Sequence, residues 1–369
     1  MKFQAVVGLG FGDEGKGLTT DFLCSQSKNP LVIRFSGGQQ AGHTVVLNGV
    51  RHVFSNFGSG SLRGVPTYWS KFCTVDPIGL MNEFNILKEK EINPILHIDK
   101  LCPVTTPYDT YFNQMAEKLQ QHGSCGVGFG STINREEHFY SLQFIDLFSP
   151  WILETKLESI KQFYNFDKKL NLDRFIQCIE QIKNLSSNIL PVYDFYPTSY
   201  YDNYIFEGSQ GLLLDQNIGF FPHVTRSNTG SKNILTMTEK PELFLITRAY
   251  QTRHGNGPMT NENIPNNILI NPLETNITNE YQGVFRRSLL DLDLLKYGIN
   301  KDDYIRNCPN KNLVITCLDH VLDEHRFTYQ GKIVNSLSGQ EFVEKISNIL
   351  GIKNVYTSYS DESINLTKQ

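Results

Sequence analysis

Gly8-Leu9-Gly10-Phe11-Gly12-Asp13-Glu14-Gly15-Lys16-Gly17 follows an apolar run, Ala5-Val6-Val7, and precedes Leu18, Phe22 and Leu23 at roughly helical spacing. The apolar run reads as a short buried strand from Phe3 to Leu9, and the segment after the glycines as a helix from about Gly15 to Ser25. Leu31-Val32-Ile33-Arg34-Phe35 is a second strand, followed at once by Gly37-Gly38. Strand, glycine loop, helix, strand is the opening of a doubly wound α/β fold. Glycines and a lysine at a helix N-terminus also make an anion site by geometry.

Two phosphate-binding patterns overlap here. Gly10 to Gly15 satisfies G-x-G-x-x-G, and Gly10 to Lys16 satisfies G-x-x-x-x-G-K. A dinucleotide loop needs an acidic residue at the end of the second strand, where this chain has Ile33-Arg34-Phe35, and Asp13 and Glu14 would face the pyrophosphate. A conventional P-loop needs Ser or Thr after the lysine as a Mg²⁺ ligand, and here that position is Gly17. A loop that keeps the lysine and loses the hydroxyl needs another metal ligand, and Asp13 is the substitute. The plainer alternative is a tight strand-to-helix turn with no ligand.

Farther along, His43 to Leu47 and His52 to Ser55, joined around Asn48-Gly49, form an expected hairpin. Ile95–Ile98, Tyr204–Phe206, Leu243–Thr247, Leu313–Cys317 and Val355–Thr357 are further strand candidates, with helices over Leu80–Lys90 and Asp109–Gln121. Residues 150–202 have a helical pattern and no glycine, and the tail beyond Ile364 is expected to fray.

The formal net charge of -4, with 40% hydrophobic and 20% charged residues, is ordinary for a globular chain and gives no global pull toward nucleic acid. No apolar run approaches a bilayer span. Seven scattered cysteines without a Cys-x-x-Cys pair argue against a disulfide framework or a structural zinc site, and for a reducing, cytoplasmic setting.

Gly12-Asp13-Glu14-Gly15-Lys16-Gly17 resembles the signature of adenylosuccinate synthetases, and Gly37-Gly38-Gln39-Gln40-Ala41-Gly42-His43-Thr44 resembles that family's next motif. Glu207-Gly208-Ser209-Gln210-Gly211, Phe221-Pro222-His223-Val224-Thr225-Arg226-Ser227-Asn228 and Ala249-Tyr250-Gln251-Thr252-Arg253-His254-Gly255-Asn256-Gly257-Pro258 continue it in the family's order. The matches span residues 5 to 258, with weaker ones to 361. The resemblance implies an α/β fold: a P-loop-like, mostly parallel central sheet flanked by helices, with helical and small β subdomains inserted. Residues 1–369 would form one domain, with 150–202 as a helical subdomain within it.

The resemblance also implies a reaction, the joining of the aspartate amine to C6 of IMP after GTP has converted O6 into a phosphate. Asp13 would be the base, His43 would steady the moving phosphoryl group, Lys16 would hold the β- and γ-phosphates, and Gln210 would complete the catalytic set. Gly12 through Leu18, Arg287, Cys317, Leu318, Asp319, Thr357 and Ser358 would bind the donor nucleotide. Gln40, Ala41, Gly42, His43, Ser124, Cys125, Gln210 and Thr225 would bind the purine monophosphate, and Arg286 and Arg287 the aspartate carboxylates. Mg²⁺ would sit between Asp13 and the Gly42 carbonyl. The partners implied are small molecules and a second copy of the chain as a homodimer, with no nucleic acid and no membrane.

Some positions depart from the family pattern. The family's Thr-Thr loop is here Ser124-Cys125, the arginine normally offered across subunits to the IMP phosphate aligns with Phe139, and the guanine motif reads Thr316-Cys317-Leu318-Asp319 without its lysine. The compact build is similar to phage relatives that use dGMP in place of IMP, although those relatives commonly carry a small residue where this chain has Asp13. Three readings therefore stand: a ligase acting on IMP with GTP, the same chemistry on dGMP with ATP or GTP, and a nucleotide-binding regulator that has lost turnover.

Overall fold

The computed structural model describes residues 1–120, 123–168, 170–272, 274, 281, 283–321 and 325–369. Its strands are β1 (Lys2–Gly8), β2 (Pro30–Arg34), β3 (His43–Leu47), β4 (Val50–Phe54), β5 (Thr67–Trp69), β6 (Leu96–Asp99), β7 (Ile189–Val192) and β8 (Asn203–Gly211), then β9 (Glu242–Arg248), β10 (Tyr250–His254), β11 (Phe285–Asp291), β12 (Lys311–Thr316), β13 (Arg326–Tyr329), β14 (Lys332–Asn335), β15 (Asn354–Thr357) and β16 (Thr367–Lys368). Ten of them form one sheet in the order β16-β15-β12-β9-β1-β8-β2-β5-β6-β7, parallel throughout except for the antiparallel edge strand β16. The expected α/β class, with a mostly parallel sheet flanked by helices, is what the chain forms.

A parallel sheet covered on both faces needs strands that are apolar on both sides. In β1, Val6 packs with Leu18, Leu23, Ile205 and Phe244 on one face. Ala5 and Val7, pointing the other way, pack with Ile33, Phe206, Leu245 and Leu313. Burying each such side chain stabilises the fold by about 1.5–3 kcal/mol. A separate cluster under β5 and β6, with Trp69, Leu80, Phe84 and Ile98, extends to the helices of the 150–202 stretch through Leu153, Leu157 and Phe175.

The helices that matter below are α1 (Lys16–Ser25), α2 (Pro77–Glu89), α3 (Pro107–Gln120), α4 (Phe129–Glu137), α5 (Pro150–Phe163) and α6 (Asp173–Asn184). Gln121, the expected end of α3, lies outside the described residues. The 150–202 stretch contains α5 and α6 but also β7, which hydrogen-bonds to the sheet edge through Leu96↔Ile189. The tail is not frayed: β16 pairs with β15, and the Gln369 amide N–H reaches the Val355 carbonyl at 2.9 Å. Small strands without clear alternation, β5 and the four-stranded sheet β10-β11-β13-β14, were not legible from pattern.

The carboxyl ends of β1, β2, β8, β9 and β12 converge on one side, and from them spring the Gly10–Gly15 loop, the Gly37–Gly42 loop, Gln210, Arg248 and Thr316. Open α/β sheets bind their ligands outside these strand ends.

Candidate active site

A cavity of 1010 Å³ opens over those ends. It is lined from the first loop by Asp13, Glu14, Gly15, Lys16 and Gly17, from the second by Gln40, Gly42 and His43, and by Ser124, Cys125, Gln210 and Thr225. Twelve residues chosen from widely separated motifs thus meet at one wall.

The glycine loop is held by Glu14. This buried carboxylate accepts the Gly10 and Gly12 N–H groups at 3.1 and 2.9 Å, and its other oxygen takes the Lys16 ammonium at 2.5 Å. An ammonium has three donors, so the bond to Glu14 leaves donor capacity for a phosphate. Gly15 caps α1 in the left-handed region at φ 100°. There its carbonyl takes the first helical bond, and Thr316 Oγ1 fastens the neighbouring Glu14 carbonyl at 2.7 Å.

The missing P-loop hydroxyl has a steric cause. A Cβ on Gly17 would lie 3.0 Å from both His43 Cβ and the Thr44 carbonyl. The glycine lets β3 approach α1 closely, and that approach carries His43 to the cavity.

His43 is buried, with Nδ1 2.7 Å from a Glu207 carboxylate oxygen. Glu207 also accepts the Ser59 N–H at 3.1 Å and the Ser59 hydroxyl. Burial raises the Glu207 pKa, but His43, the Arg34 charge and Ser59 outweigh it and bring it to about 2, so the carboxylate is ionised. Burial pulls the His43 imidazole pKa down while Glu207 pushes it back up, with a net lowering. The free protein therefore holds a neutral ring that donates Nδ1–H to Glu207 and turns Nε2 to the cavity. That Nε2 is buried with no hydrogen-bond partner among the described residues, as are both side-chain polar atoms of Gln40. Buried polar atoms left unpaired cost about 1–3 kcal/mol each, a cost a polar ligand in the cavity would remove.

Asp13 adopts φ 61°, and its carboxylate lies 3.8 Å from His254 Nε2. Burial raises its pKa, against the lowering influence of His254, Arg248 and Lys16. Arg248 is anchored to the Asp13 carbonyl, the Tyr250 hydroxyl and Glu274. Cys125, which takes a hydroxyl's place, is a neutral thiol, its pKa pushed by burial up to about 12.

Other expected residues lie elsewhere. Gly12, Leu18 and Ala41 are buried behind the wall. Cys317, Leu318, Asp319, Thr357 and Ser358 gather at the ends of β12 and β15, where Leu318 N–H meets the Ser358 carbonyl at 3.2 Å, and none of the five lines the cavity. Neither Arg286 nor Arg287 lines the cavity: Arg286 is bound to the Gly255 and Gly257 carbonyls at 2.6 Å and to Glu262 at 2.9 Å, and Arg287 to the Leu269 carbonyl at 3.2 Å. Phe139, at the position of the family's cross-subunit arginine, stands 94% exposed, and the nearby Arg135 is consumed by Asp109, Glu136 and the Val104 and Tyr140 carbonyls. Gln210 lies within β8, which runs five residues beyond the expected Phe206.

Glu207, Arg34, Arg226 and Arg248 also belong to the site or its support, and no pattern in the sequence marks a role for them. The available signal was a charged residue at the end of an apolar strand, as in Tyr204-Ile205-Phe206-Glu207 and Leu245-Ile246-Thr247-Arg248.

The adenylosuccinate synthetase family profile matches residues 5–362. An adenylosuccinate synthetase from Borrelia recurrentis is 29% identical over 374 residues, covering 95% of this chain and 86% of the relative. One from Thermoplasma volcanium is 30% identical over 365 residues, covering 90% and 82%. Among solved structures, fully ligated adenylosuccinate synthetase from Plasmodium falciparum superposes with a TM-score of 0.76 at 15% identity, covering both chains completely. The cyanophage S-2L succinoaminodeoxyadenylate synthetase bound to dGMP and dATP gives a TM-score of 0.64 at 14% identity, covering 100% of this chain and 95% of the phage chain. Likeness at that identity is a likeness of fold.

Proposed function

The chain belongs to the adenylosuccinate synthetase family of C–N ligases, and from that premise we propose that it condenses L-aspartate with IMP, driven by GTP, to give adenylosuccinate, GDP and phosphate. The observation that carries this reading is Asp13, a cavity carboxylate whose pKa burial raises, next to a phosphate-type loop. Binding alone requires no base beside phosphates, whereas phosphoryl transfer to O6 requires one to take the N1 proton.

Asp13 removes that proton as O6 attacks the γ-phosphorus. Lys16 and the loop N–H groups hold the donor phosphates. The incoming negative charge favours the imidazolium of His43, stabilised from behind by Glu207, so that Nε2 donates to the developing charge. The aspartate amine then attacks C6, the C6–O6 bond breaks, and phosphate departs carrying O6. Gln210, against which Gly12 packs so closely that a Cβ there would lie 2.6 Å from its Oε1, fixes the purine over the loop.

Mg²⁺ fits the donors present. It keeps most of its waters and takes substrate phosphates with one or two protein oxygens, and Asp13 and the Gly42 carbonyl supply oxygens at the cavity wall. When bound it would neutralise phosphate charge. Cytoplasmic location is supported by seven free thiols. No helix among the described residues is long and apolar enough to cross a membrane.

The test is a substrate panel: aspartate and Mg²⁺ with IMP, dGMP or GMP, and GTP or ATP as donor, followed by phosphate release and product mass. Turnover with IMP and GTP is expected. Product with dGMP only would replace IMP as the acceptor, and no turnover with any pair would leave a nucleotide-binding regulator.

A further inference from the structure

Four permanently charged cations among the described residues line the cavity: Lys16, Arg226, Arg248 and Arg253. Three are built into the framework. Lys16 is buried on Glu14, and Arg248 is fixed by Tyr250, Glu274 and the Asp13 carbonyl. Arg253 is buried on the Pro258 and His223 carbonyls at 2.7 and 2.9 Å, with its guanidinium 4.2 Å over the Phe11 ring.

Arg226 differs. Its guanidinium reaches across from the loop that carries Thr225 to α4, bonding Asn134 Oδ1 at 3.2 Å and Glu137 at 2.5 Å. The side chains of Arg226 and Glu137 are 42% and 52% exposed. An ion pair that open to water is weak and exchangeable, so this cation can be redirected at little cost. It is carried by the residue after Thr225 and is held to α4, the helix that the 124–128 turn leads into. Cys125 in that turn lies with Sγ 3.9 Å from the Gln40 carbonyl, and Thr225, Gln40, Ser124 and Cys125 line the same cavity. Together they offer hydroxyls, the unpaired buried Gln40 amide and one movable guanidinium, a donor set for a phosphate monoester.

We infer that Arg226 binds the 5′-phosphate of the purine monophosphate from within the same chain, exchanging Glu137 for the phosphate oxygens as the ligand seats. Glu137 holds the guanidinium at the mouth until then. The inference rests on the purine-monophosphate reading above. Neither Arg135, buried in its own ion cluster, nor the exposed Phe139 can supply this charge.

Calorimetric titration of the whole protein with IMP, dGMP and inosine tests it. In Arg226→Met, monophosphate binding should weaken about 10- to 100-fold, the range for a lost charge-assisted pair, while binding of inosine, which lacks the phosphate, is unchanged. Arg226→Lys, which keeps the charge and loses the fork, should fall between. Glu137→Gln should tighten monophosphate binding severalfold, and should do nothing in the Arg226→Met background. Monophosphate binding within twofold of wild type in Arg226→Met, or an equal loss for inosine, would overturn the assignment. If the wild-type protein binds no purine monophosphate at all, the proposed function itself fails.

Discussion

Replacing Glu207 with Gln separates the charge of the buried network from its shape. The carboxamide is nearly isosteric and can still accept from His43 Nδ1, which lies 2.7 Å away. What is lost is the negative charge between His43 and Arg34, a fully buried guanidinium with one 3.4 Å bond to the Phe57 carbonyl and a face 5.2 Å from Trp69. The Glu207 pKa falls from 4.5 to about 2 on folding. At 1.36 kcal/mol per unit, that makes the ionised carboxylate worth about 3 kcal/mol of stability. A carboxyl depressed in the folded state contributes fully above its unfolded pKa of 4.5, and the contribution is lost as pH falls from there toward 2. Urea unfolding of wild type and Glu207→Gln should thus differ by about 3 kcal/mol at pH 7. The difference should shrink as pH drops below the unfolded value. Turnover should fall by about 100-fold or more, since the imidazolium at His43 loses its counter-charge. A difference under about 1 kcal/mol, or one constant from pH 7 to pH 3, would refute the assignment of Glu207 as an ionised, load-sharing anion.

Asp13→Ala should reduce turnover by about 100- to 10,000-fold, the usual range for a general base, while leaving the urea midpoint close to wild type. In the wild-type protein, activity should be lost as acid protonates Asp13, and should be lost at a higher pH than for an ordinary aspartate because burial raises its pKa; a profile flat down to the usual carboxylate range would contradict this. Gly17→Ser restores the residue of a conventional P-loop, yet should destabilise by about 1–3 kcal/mol and lower turnover, because a Cβ there meets His43 and Thr44. Full stability and activity in Gly17→Ser, read by unfolding and phosphate release, would refute the steric reason given for the glycine.

The phosphate loop was legible in the sequence because its demands are local: glycines for the turn, a lysine at a helix start, an apolar strand before it. The central strands β1, β2, β9, β12 and β15 were legible for the same reason, being apolar on both faces. The His43–Glu207–Ser59 cluster was not, because His43 and Ser59 lie 164 and 148 residues from Glu207, and only the packing of the β3–β4 hairpin and the loop after it against β8 brings them together. Arg34 counted in the sequence only as evidence against a dinucleotide site; its meaning as a buried counter-charge depends on β2 pairing with β8 at Arg34↔Glu207. The tail was expected to fray because it is polar and terminal, yet backbone pairing to β15 holds it, and such pairing needs no side-chain pattern.

Transfer of oxygen tests the central claim most directly. A purine monophosphate labelled with ¹⁸O at C6 is incubated with aspartate, GTP and Mg²⁺, and the inorganic phosphate released is weighed by mass spectrometry. Phosphorylation of O6 followed by displacement predicts one ¹⁸O in each phosphate formed with product. Unlabelled phosphate alongside product would mean that O6 never carried the phosphoryl group, and the roles given to Asp13 and His43 would fall with it.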